Sequence, residues 1–217
     1  MRIRYRVVFS EVLAGGLLLL GCVSSGAEAI KNSSFEDPVD SGLGYNWGSD
    51  RAVHWERWGG WFNRETTWTP VLDGQCMMAY HHWRIQGEET SGIYQDIGDV
   101  PSGKPYTFTV QVMKDKGANA EYVEIRLESY LGGQTLASKV FRMADMKGGK
   151  WVPLSVTGLP QSQGIRVLVI TKPGRAGQRK GAIKFDEASL SEETNPAVLA
   201  TMSSAKNNTA YGLIRRR

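Results

Sequence analysis

From Ile30 onward the chain alternates between apolar and polar positions with a period of two. Tyr106, Phe108, Val110 and Val112 interleave with Thr107, Thr109, Gln111 and Met113. Val123, Ile125 and Leu127 interleave with Glu124, Arg126 and Glu128. Successive side chains of a strand point to opposite faces, so this alternation predicts strands with one face on a core and one toward water. Further strands are expected at 30–36, 53–58, 75–83, 91–97, 136–143, 151–157, 164–172 and 181–190. Asp73-Gly74, Pro101-Ser102-Gly103, Gly132-Gly133, Gly148-Gly149 and Pro173-Gly174 supply turns between them. No long helical period precedes residue 193. About ten short strands with regular breaks predict an all-β antiparallel sandwich or barrel.

The two ends of the chain depart from this pattern. Residues 1–29 read as an export signal: Arg2, Arg4 and Arg6, then an apolar stretch ending in Leu17–Leu20, then Ala27-Glu28-Ala29 as a cleavage site. Glu11 interrupts the apolar stretch, which is too short for the ~20 residues of a membrane span. A second processing site competes. Leu19-Leu20-Gly21-Cys22 resembles the bacterial lipoprotein box, in which the cysteine is lipidated and becomes the mature N-terminus. The expected location is outside the cytoplasm, with any membrane attachment made through that N-terminal lipid. Residues 30–192 form the expected domain. Residues 193–217 are rich in Ser, Asn, Thr and Ala and read as a flexible tail or one weak helix near 196–205.

Charge changes the picture little. The net charge is +4, but six of the 26 basic residues are Arg2, Arg4, Arg6 and Arg215–Arg217 at the extremities. The remaining 20 face 22 acids, so the domain has no basic stripe for nucleic acid. Cys76 is the only cysteine besides Cys22, which argues against disulfide stapling. Cys76 falls in an apolar strand pattern and reads as a small buried hydrophobe. His81 and His82 are adjacent on a strand and point to opposite faces, so with His54 they do not suggest zinc.

Several segments, in order, resemble one family. Lys31-Asn32-Ser33-Ser34-Phe35-Glu36 opens the domain. Leu72-Asp73-Gly74-Gln75, Ile93-Tyr94-Gln95-Asp96-Ile97 and Pro101-Ser102-Gly103-Lys104-Pro105-Tyr106-Thr107-Phe108 follow. Trp151 begins a strand, and Ile183-Lys184-Phe185-Asp186-Glu187-Ala188-Ser189-Leu190 closes the domain. The set resembles carbohydrate-binding modules of the group containing families 4, 9 and 22, over roughly 30–191. The resemblance implies a two-sheet jelly-roll sandwich with its first and last strands side by side. It also implies a structural calcium there, for which Glu36 and Asp186 match the acidic positions. Calcium takes six to eight oxygens, so two carboxylates and backbone carbonyls suit it. The same two residues read equally as polar groups bonding the backbone.

Six of the seven tryptophans lie between Trp47 and Trp83. Rings that stack on sugar C–H faces beside directed polar groups make a glycan site. Trp55 and Trp58 are expected in the core. Trp61, Trp68 and Trp83 are expected to form a platform, with Gln111, Arg126, Glu128 and Tyr130 as polar partners, although a solvated polar face would show the same alternation. The carboxylates show no spacing that singles out a catalytic pair, and no nucleophile, zincin or phosphate-loop motif is present. The expectation is therefore a non-catalytic protein binding a polysaccharide or oligosaccharide. Two alternatives remain: an adhesion domain binding another envelope protein, and a jelly-roll enzyme acting on polysaccharide.

Overall fold

The computed structural model describes residues 30–39, 51–66, 68–81 and 87–202. Ten strands build two antiparallel five-stranded sheets. They are β1 (Glu56–Trp58), β2 (Phe62–Glu65), β3 (Met77–Tyr80), β4 (Ser91–Ile97), β5 (Tyr106–Lys114), β6 (Tyr122–Ser129), β7 (Thr135–Arg142), β8 (Val152–Gly158), β9 (Ile165–Lys172) and β10 (Ile183–Glu192). Sheet 1 has the order β1-β4-β9-β6-β7, and sheet 2 the order β2-β3-β10-β5-β8. This is the expected all-β two-sheet sandwich.

The alternation in sequence becomes a division between faces. Ile93, Val123, Ile125, Leu127, Val167 and Val169 point inward from sheet 1. Phe62, Tyr80, Phe108, Val110, Val112 and Phe185 meet them from sheet 2. Phe62 is packed between Tyr80, 4.9 Å away by ring centroids, and Phe185, 5.7 Å away. Each such side chain, once buried, contributes about 1.5–3 kcal/mol relative to exposure.

Two elements differ from the sequence reading. Residues 30–36 are not a strand. Asn32 (φ 50°) and Phe35 (φ 60°) sit in the left-handed region. The Asn32 side chain accepts the Asp37 N–H and donates to the carbonyls of Asp37 and Val53, which folds the segment on itself. It still lies beside the last strand, where the Ala188 N–H donates to the Ser33 carbonyl at 2.9 Å. Strand β2 has no counterpart among the expected strands, because Asn63, Arg64 and Glu65 are three polar residues in a row and break the alternation. All three are nevertheless buried. Arg64 shares the inner side with Phe62, Asn63 accepts a bond from Arg57, and Glu65 is held by His81.

The 68–76 segment folds back over the outer face of sheet 2. Trp68 meets the His81 ring edge-on at 4.6 Å, and the Lys184 ammonium donates to the Thr69 carbonyl at 2.8 Å. Beneath it the His81 ring nitrogen Nε2 lies 2.6 Å from the Glu65 carboxylate, and both residues are buried. In the tail, residues 196–202 form a helix, α1, whose N-terminus is capped by Asn195: its side-chain oxygen accepts the Ala197 N–H at 3.0 Å.

Candidate carbohydrate-binding face

The outer face of sheet 1 carries three parallel strips, set by the register of the strands. On β1 and β4, Trp58 pairs with Gly92 and Glu56 with Tyr94. On β9, Ile170 stands beside Gly92 and Leu168 beside Tyr94. On β6, Glu124 stands beside Ile170, Arg126 beside Leu168, and Glu128 beside Arg166. The result is an aromatic strip and a charged strip, with an apolar floor between them.

Gly92 decides how the aromatic strip is built. A Cβ at this position would meet the Trp58 ring at 2.0 Å, so the indole lies flat across the glycine. Trp58 is therefore half-buried on the outer face rather than in the core. Tyr94 lies beside it at 6.1 Å, and the Arg166 guanidinium covers the tyrosine ring at 4.2 Å. Leu168 and Ile170 are each only 5% exposed although they lie outside the main core cluster.

The charged strip is already paired. Arg126 donates through Nε to Glu124 at 2.7 Å and through Nη1 to Glu128 at 3.1 Å. Glu124 also accepts from the Ser138 hydroxyl on β7. Burial raises the Glu124 carboxyl, but bonds from Arg126 and Ser138 outweigh it and hold the carboxyl below its ordinary value. Arg166 grips both oxygens of Asp96, at 3.0 and 2.8 Å. The bond to Asp96 raises the Arg166 guanidinium, and the bond to Glu124 does the same for Arg126. Such bidentate and forked pairs fix side chains in one orientation.

The expected site residues fall in three places. Arg126 and Glu128 belong to the charged strip. Tyr130 follows at the end of β6, packed against Gly98 and Gly164; a Cβ on Gly164 would meet its ring at 2.9 Å. Gln111 is on the other sheet, where it lines an open groove with Ser33, Ser34, Thr109 and Ser189. Trp61 and Trp68 also belong to the sheet 2 side, Trp68 lying over His81 and Lys184. Trp83 lies outside the described residues, as do the processing sites at Cys22 and Ala29. Trp55 is core, 3% exposed, with its indole N–H donated to the Asn32 carbonyl. The sequence reading missed Trp58 and Tyr94. The available signal was Gly92, a small residue in a strand otherwise built of large ones.

Glu36 and Asp186 both act on the 72–76 turn. Glu36 Oε1 accepts the N–H groups of Gln75 and Cys76 at 2.9 and 2.8 Å. Asp186 Oδ2 accepts those of Leu72 and Asp73, at 2.9 and 3.2 Å, and Oδ1 accepts that of Glu187. Burial pushes the Asp186 carboxyl up to about 6, against the opposing pull of these bonds. Among the described residues, no group of three or more His, Cys, Asp and Glu gathers where it could hold a metal ion.

No family model matches the sequence, and no curated protein matches it either. Solved structures do share its architecture. A carbohydrate-binding module of family 61, in complex with β-1,4-galactotriose, is 12% identical with a TM-score of 0.53, over 76% of this chain and 99% of that one. A Stig cyclase, Fisc from Fischerella sp. TAU, is 16% identical with a TM-score of 0.54, over 76% of this chain and 96% of that one. An arabinose-bound α-L-arabinofuranosidase is 14% identical with a TM-score of 0.55, over 77% of this chain and 27% of that one. Enzymes and binding modules thus share this architecture, and the likeness is one of fold. In fold, the chain is a two-sheet antiparallel β-sandwich of the architecture that these solved structures share.

Proposed function

We propose that the protein is a non-catalytic glycan-binding module and that its binding face is the outer face of sheet 1. The observation that carries this reading is the indole of Trp58 seated on Gly92 beside Tyr94, across an apolar floor from the fixed Glu124–Arg126–Glu128 ladder. Sugars present apolar C–H faces to rings and hydroxyls to charged groups, and this face offers both within the width of four adjacent strands. The galactotriose bound by the family 61 module supports an oligosaccharide as the ligand class. A binding role is also supported by the state of the carboxylates. Asp96, Glu124 and Glu128 are each held by an arginine, an arrangement suited to orienting a ligand rather than to exchanging protons with one.

A pull-down on insoluble polysaccharides, together with a glycan array, tests the reading. Wild type is expected to be retained on at least one polysaccharide, and Trp58→Ala and Tyr94→Ala to be lost from it while melting cooperatively. Retention of both variants at wild-type level overturns the assignment of the face. Failure of wild type to bind any glycan overturns the function and favours a protein partner at the envelope. Export with lipidation at Cys22 belongs to the same proposal. The mass of the mature N-terminus decides between Cys22 carrying lipid and cleavage after Ala29.

A further inference from the structure

The seam between the opening segment and sheet 2 is where a jelly roll of this kind would be stapled by a calcium ion. Here the donors at that seam are taken by the chain itself. Arg64 is 7% exposed and points to the inner side of β2. Its Nε donates to the Phe35 carbonyl at 2.8 Å, and its Nη2 donates to the Glu36 carbonyl and to Cys76 Sγ. The neighbouring carboxylate closes the circuit from the other side, since Glu36 Oε1 receives the Gln75 and Cys76 N–H groups. Gly74 (φ +61°) makes that approach available, because a Cβ there would lie 2.3 Å from Glu36 Oε1. Asp186, from the last strand, is committed to three N–H groups. Calcium requires six to eight oxygens turned toward one point. At this seam the Phe35 and Glu36 carbonyls face a guanidinium, and Glu36 and Asp186 accept backbone N–H groups.

We propose that Arg64 is the built-in cation of this seam, replacing a bound metal, so that the sandwich is closed by a guanidinium fork and its stability is independent of calcium. Guanidinium suits the task. It stays charged at every accessible pH, and its planar array of donors can hold two successive carbonyls and a sulfur at once, which a single ammonium cannot.

Thermal melting of the full chain tests this, in excess chelator and in millimolar calcium chloride. The wild-type midpoint is expected to agree within about 1 °C between the two, since a ligand that binds only the native state raises it. A midpoint that falls in chelator and recovers with calcium overturns the proposal. Arg64→Lys keeps the charge but not the fork, and is expected to fold and to melt several degrees lower in both buffers. An Arg64→Lys variant that melts with wild type also overturns it. Arg64→Met removes the charge as well and is expected to lose more than Arg64→Lys. Isothermal titration of wild type with calcium chloride is expected to give no saturable heat, and a stoichiometric isotherm would sink the idea independently of folding.

Discussion

Replacing Gly92 by alanine tests the binding face through a residue that no ligand needs to touch. The new methyl carbon would stand 2.0 Å from Trp58 Cη2, 2.4 Å from Cζ2 and 2.5 Å from Cζ3. Carbon atoms in contact settle about 3.5–4.0 Å apart, so the ring must retreat by about 1.5 Å or swing off the sheet. Trp58 ends a three-residue edge strand, which gives the ring freedom to leave. Overpacking of this kind costs about 1–3 kcal/mol of stability. The effect on binding follows from area. A tryptophan side chain offers on the order of 200 Å², and with one face on Gly92 roughly half remains for a ligand. At about 25 cal/mol per Å², losing that surface removes about 2.5 kcal/mol, or roughly 70-fold in Kd. Affinity electrophoresis on the polysaccharide that retains wild type reads the change, and a urea titration of the same sample reads the stability. Gly92→Ala binding within twofold of wild type, while Trp58→Ala fails to bind, would show that the seat on Gly92 is irrelevant and refute the reasoning.

Three further outcomes are expected. The Asp186 carboxyl is raised from 3.8 to about 6, so the folded state holds a proton that the unfolded chain releases. Its contribution to stability is complete below pH 3.8 and is lost as pH rises through about 6. The change is at most about 3 kcal/mol, and urea midpoints of wild type and Asp186→Asn between pH 4 and 7.5 should separate by a pH-dependent amount. Glu124 behaves oppositely. Its lowered carboxyl contributes stability above the ordinary value of 4.5, lost as pH falls through its folded value; Glu124→Gln should flatten that acid limb. Arg126→Met leaves Glu124 and Glu128 without their shared partner. It should cost about 1–3 kcal/mol in denaturant unfolding and abolish retention on polysaccharide, whereas a variant of exposed Lys116 should do neither.

The sandwich was legible in the sequence because it is written locally. Phe108, Val110 and Val112 against Thr107, Thr109 and Gln111 announce a strand without reference to any neighbour. Strand β4 falls on the expected 91–97. The binding face was less legible, since it depends on pairing. Trp58 looks like core until Gly92 is placed opposite it, and only the register of β1 on β4 does so. Gln111 and Arg126 both stand outward on regular strands, yet they belong to different sheets, which alternation alone does not distinguish. Strand β2 was hidden for another reason. Its polar residues are buried against partners distant in sequence: Arg64 with Phe35 and Cys76, and Glu65 with His81.

The position of β10 in sheet 2 has a consequence for how the molecule comes into being. The last strand among the described residues is the middle strand of its sheet, pairing with β3 on one side and β5 on the other. A ribosome delivering the chain from its N-terminus therefore releases β3 and β5 long before the strand that joins them. Until residues 183–192 emerge, both strands have unpaired edges, and sheet 2 cannot form across its centre. Late, long-range pairing of this kind folds slowly and leaves nascent edges exposed to other chains. Folding of sheet 2 thus waits for residues 183–192, and a chain stopped before Ile183 should remain open and prone to aggregate.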